Sequence, residues 1–152
     1  MARTSWLLAW VLTFGGCLST LGRPAGPAAP PAGSDAEVVF QDIGAFRKNQ
    51  GITAPTWIDR LVRNAQDGAD RLAKGGDARN IIHEISTKAA YNVGRNVEVW
   101  YMYSDSLYGM SYPNGLVARR NLMLAVAVAP MVVGGSGRYA IVMITPEPGG
   151  GL

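Results

Sequence analysis

Two periodicities divide the chain. From residue 56 onward, Trp57, Ile58, Leu61, Val62, Ala65, Ala69 and Leu72 recur at helical spacing, while Asp59, Arg60, Arg63, Asn64, Asp67, Asp70, Arg71 and Lys74 fill the opposite face. Thr56 with Asp59 three residues later reads as a capping-box-like start, and Gly75 with Gly76 reads as a stop. Gly68 weakens that helix by about 1 kcal/mol relative to Ala. Asp77 is placed to cap a second helix, with Ala78, Ile81, Ile82, Ile85 and Ala89 as its apolar stripe and Asn92 and Gly94 as its stop. So short a gap predicts an antiparallel helical hairpin or a sharply bent pair.

After Gly94 the pattern alternates. Val97, Val99, Tyr101 and Tyr103 fall on one face and Glu98, Trp100 and Met102 on the other, which predicts a strand over 96–103. Residues 108–115 are turn-prone, with Pro113, Asn114 and Gly115 as the reversal. The run 122–128 is uniformly apolar and fits strand or helix, although Pro130 opposes a helix reaching Val133. A glycine-rich turn over 134–137 and a further apolar strand over 138–145 complete the pattern. Ahead of the helices, 37–40 reads as a short strand or docking segment and 44–52 as irregular chain. The expected class is α+β, with two N-terminal helices packed on a small, mainly antiparallel sheet. Strands apolar on both faces require a sheet covered on both sides, or a partner on the open face.

The first residues change the picture. Arg3 precedes an apolar stretch from Trp6 to Phe14, the proportions of a secretory signal. A spanning helix needs about twenty apolar residues, and Gly15 and Gly16 interrupt this one earlier. The competing expectation is a buried apolar helix of the folded domain. The expected plan is a signal peptide over 1–22, cleaved between Ser19 and Gly22, and a disordered Pro/Ala/Gly linker over 23–35. A single α+β domain over 36–146 and a flexible tail over 147–152 follow. Secretion is the expected destination. The alternative is lipid attachment to the cell envelope through Cys17, although Phe14 stands where an aliphatic residue is usual.

Cys17 is the only cysteine, so a processed domain has no disulfide and no thiolate metal site. It must stand on its hydrophobic core. No Asn heads an Asn-x-Ser/Thr triplet, so no N-linked glycan is expected. The formal charge of +3 includes Arg3, and the basic residues form no dense block. A nucleic-acid partner is not expected.

Candidate chemistry is sparse. His83 beside Glu84 suggests a catalytic helix, but zinc-protease spacing needs a second histidine at 87, where Thr87 stands, and His83 is the only histidine. No metal is expected. Arg79, His83 and Glu84 remain as weak candidates for proton transfer in a small secreted hydrolase or nuclease-like enzyme. The turns at Ser111 and Ser136 each lack the final glycine of a nucleophile elbow. Gly135, Gly137 and Ala140 match the dinucleotide pattern in letters, but that chemistry needs a helix where 138–144 reads as strand, so no cofactor is expected.

The aromatic cluster is more suggestive. Trp100, Tyr101, Tyr103, Tyr108 and Tyr112 fall within thirteen positions. Alternation sends Trp100 opposite to Tyr101 and Tyr103, so part of the cluster is free to line a surface. The bland alternative is cross-strand pairing that stabilises the sheet. The leading expectation is a secreted or envelope-attached binding or interaction domain for a protein, peptide or carbohydrate. A third reading has the apolar hairpin over 122–145 insert into a membrane, with Arg119 and Arg120 facing anionic headgroups. The same pair also suits a dibasic processing site or a plain basic loop.

Overall fold

The computed structural model describes residues 28–133 and 136–148. The expected signal segment with its cleavage site and Cys17, residues 23–27 of the expected linker, Gly134 and Gly135 of the expected turn, and residues 149–152 of the tail lie outside the described residues.

Helix α1 spans Asp35–Asn49. Ser34 caps it, its hydroxyl accepting from the Glu37 amide at 3.1 Å, and Asp35 and Glu37 suit the positive end of the helix dipole. This helix replaces the strand expected over 37–40 and most of the irregular chain expected over 44–52. Its inward stripe is Val39, Ile43 and Arg47. Arg47 is fully buried and donates to the carbonyls of Thr53 (2.7 Å), Val117 and Arg119 (2.7 Å). A charged residue thus closes an otherwise apolar stripe by binding the chain around it.

The helix expected to start at Thr56 also begins later. Thr56–Trp57 form β1, which pairs in parallel with β3 (Met123–Val133). The Thr56 amide donates to Leu122 at 2.8 Å and the Ile58 amide to Leu124 at 3.1 Å. Long-range pairing therefore overrides the local capping signal. A 3-10 turn at Asp59–Leu61 leads into α2 (Val62–Ala73). Helix α3 (Ala78–Val93) runs as the sequence predicts: Asp77 caps it, accepting from the Asn80 amide, and Gly94 ends it at φ 69°.

Strand β2 (Val97–Ser104) follows, then a helical turn α4 (Asn114–Val117) at the expected reversal, then β3 and β4 (Ser136–Pro146). The apolar run that fits either period is strand. The sheet order is β1-β3-β4-β2, with β4 antiparallel to both neighbours. The domain is α+β.

Alternation sorts the sheet into two faces. Ala125, Ala127, Ala129, Ala140, Val142 and Ile144 pack under α2 and α3. Leu124, Val126, Ile141 and Met143 face the other way, under α1 and the segment carrying Leu107, Tyr112 and Leu116. Doubly apolar strands are thus answered by cover on both sides, with α2 and α3 on one and α1 on the other. Gly68 sits where α2 meets the sheet: a Cβ there would stand 3.4 Å from Val142 and 3.5 Å from Ile85. An alanine methyl would make ordinary contact there, while a larger side chain would meet Val142 and Ile85.

Candidate functional site

Strand β2 is an edge of the sheet, paired with β4 along all eight of its residues. Beside it lies a groove of about 480 Å3, lined by Arg79, Ile82, His83 and Ser86 of α3 and by Glu98, Val99, Trp100 and Tyr101 of β2. Side chains of a strand alternate between faces, so four consecutive residues line one groove only where it follows the strand's edge. The groove therefore presents the main chain of β2 together with rings from both faces.

The structure brings together two sets of residues that the sequence suggests for different reasons. Arg79 and His83, one helical turn apart and both exposed, form one wall. Trp100 and Tyr101 belong to the other. Glu84 turns away: it accepts from Arg71 of α2 at 2.8 Å, and that guanidinium holds its carboxyl below the usual range. His83 and Glu84, adjacent in sequence, line different depressions.

The aromatic cluster divides. Tyr101 and Tyr103 are each 45% exposed and meet edge to face with ring centroids 6.0 Å apart. Burial, then the neighbouring Tyr101, raises the Tyr103 pKa. Tyr108 is 70% exposed, on the loop after β2. Tyr112 is core: its hydroxyl donates to Asp42 at 2.8 Å and its ring meets Phe46. Of the five aromatic residues, the groove takes Trp100 and Tyr101, with Tyr103 against Tyr101.

Ala78, Ile82, Ser86, Glu98 and Val99 are the groove residues that sequence reasoning did not single out as site candidates. Only Glu98 left a signal, as the one charge in an aromatic and β-branched strand. It forms an ion pair with Arg119, whose Nε donates to the Gly115 carbonyl at 3.0 Å. Gly115 also packs on Trp100, since a Cβ there would stand 3.5 Å from the indole. The Trp100 Nε1 and Arg119 Nη1 atoms are buried without a hydrogen-bond partner among the described residues.

Among the described residues no group of three or more His, Cys, Asp or Glu is placed to hold a metal ion. No helix among them is long and apolar enough to cross a membrane. The hairpin β3–β4 buries Leu124, Ala125, Val126, Ala127, Ala129 and the run Ala140–Ile144 in the two cores, so inserting these residues into a membrane would require dismantling the sheet. Comparison with protein-family models, curated proteins and solved structures finds no match to this chain.

Proposed function

We propose that this protein is an exported peptide-binding domain that takes an extended acidic segment along the free edge of β2, as an added strand. The observation that carries this reading is the groove lined by four consecutive residues of an edge strand. Edge strands are commonly guarded by lysine, proline or inward-pointing charge. Strand β2 contains neither lysine nor proline, and the charge of its one acid, Glu98, is met by Arg119. An added strand draws affinity from main-chain hydrogen bonds and specificity from alternate side chains. Here Trp100 and Tyr101 offer the aromatic contacts. Arg79, with no ion pair among the described residues, favours a carboxylate on the guest. Export is supported by the basic-then-apolar start of the chain.

The test is selection from a random-peptide library on the immobilised protein, followed by titration of the selected peptides and their singly N-methylated forms. Acidic, extended sequences should emerge. N-methylation should abolish binding at every second position, because alternate amides face the host strand. Tyr101→Ala and Arg79→Gln should each weaken binding without lowering the melting temperature. An N-methyl scan without alternation would refute strand addition, and capture of glycans in place of peptides would replace this reading with a lectin.

A further inference from the structure

We infer a second site, independent of the groove: an arginine-lined pocket that binds a small molecule carrying a phosphate or sulfate ester. A cavity of about 430 Å3 lies at the end of the sheet where β2 and β3 begin and β4 finishes, with Arg95, Arg119, Arg120, Asn121, Thr145 and Glu147 in its wall. Three guanidinium groups thus share one wall. The planar donor fork of arginine matches tetrahedral oxyanions.

The segment that supplies two of these arginines is fixed from beneath. Arg47, fully buried, donates to the Arg119 carbonyl at 2.7 Å and to the Arg120 carbonyl at 3.3 Å. The Arg119 side chain is held by Glu98 and by the Gly115 carbonyl. One of its amino groups, Nη1, is buried with no partner among the described residues. Arg95 reaches the Met123 sulfur at 3.9 Å, while Arg120 is exposed. Among the described residues, the acids at this wall are Glu147, which is exposed, and Glu98, which is paired with Arg119. A cavity of this size falls in the range of small-molecule sites and exceeds what an inorganic ion fills, so the oxyanion should be borne on a larger body such as a sugar.

Calorimetric titration of the full chain with glucose phosphate and glucose sulfate esters tests this, with glucose as the neutral control. Saturable binding of at least one ester, absent for glucose and weakening as salt rises, is the expected result. The preferred ester identifies the chemistry. Arg120→Gln and Arg95→Gln should each weaken binding roughly tenfold, the loss of one charge-assisted contact. Arg63→Gln, on α2 and outside this wall, should leave it unchanged. Thermal melts establish that each variant is folded. No heat with either ester at about 10 mM, a level beyond which binding is too weak to signify a site, would overturn the proposal. Equal affinity in the folded arginine variants would overturn it as well.

Discussion

Glu98 and Arg119 are joined as an ion pair between the edge strand and the segment after α4, with the glutamate side chain 33% exposed and the arginine 16%. The pair stands between the two proposed sites, since Glu98 lines the groove and Arg119 the arginine pocket. Removing one partner strands the other in a half-dry place. Glu98→Gln should therefore destabilise the fold by about 1–2 kcal/mol, below the cost for a fully buried pair. The double variant Glu98→Gln with Arg119→Met should recover part of that loss. Urea unfolding of both variants checks the asymmetry.

The second prediction concerns alkaline pH. Burial, then the hydrogen bond to Asp42, then the charge of that carboxylate, pushes the Tyr112 phenol far above its usual pKa. In the unfolded chain the phenol ionises near pH 10, while in the folded chain it keeps its proton. Above about pH 10 the unfolded state thus binds fewer protons, and stability falls as pH rises. Below pH 10 this contribution is fully present. Tyr112→Phe should flatten that alkaline decline, and it should cost about 1 kcal/mol at neutral pH for the lost hydrogen bond. Melting temperatures measured from pH 8 to pH 11 (an ordinary alkaline range) distinguish the two chains.

Arg47 should be the most sensitive charged residue. Its guanidinium satisfies carbonyls from three segments, and Arg47→Ala would leave them unpartnered beside a cavity. A loss of about 3 kcal/mol or more is expected. Arg47→Lys should recover less than half, because a compact ammonium cannot span the same carbonyls. Denaturant midpoints measure both.

Gly68 gives a packing test. Ala gains helix propensity there but places a methyl 3.4 Å from Val142, so Gly68→Ala should change stability by less than about 1 kcal/mol. Gly68→Val has no such compensation and should cost about 2 kcal/mol or more through overpacking. Thermal unfolding of the pair separates crowding from propensity.

Legibility in the sequence followed the range of the forces involved. Helix α3 and strand β2 are set by local signals, Asp77 at one end, Gly94 at the other and strict alternation afterwards. Helix α1 is harder to see because Arg47 occupies an inward position and Val38, Val39 and Phe40 stand in an unbroken row. Such a row reads as strand until a cap at Ser34 is recognised. Thr56 shows the opposite failure: a sound capping signal yields to the hydrogen bonds that the Thr56 and Ile58 amides donate to Leu122 and Leu124, each more than sixty residues away. The site was legible residue by residue but not as an assembly. Nothing in the spacing of Arg79 and Tyr101 announces that α3 and β2 enclose one groove.

The floor of methyl groups beneath α2 has a consequence for how the molecule can move. Ala65 and Ala69 of the helix share one core with Ala125, Ala127, Ala129 and Ala140 of the sheet, so much of this interface is methyl on methyl, with little freedom to re-pack. That half behaves as a keel. Helix α3 is attached to α2 through the tight Gly75–Gly76 turn and the Arg71–Glu84 link. Under the proposed strand addition, any widening of the groove would fall to α3, the wall that follows that turn.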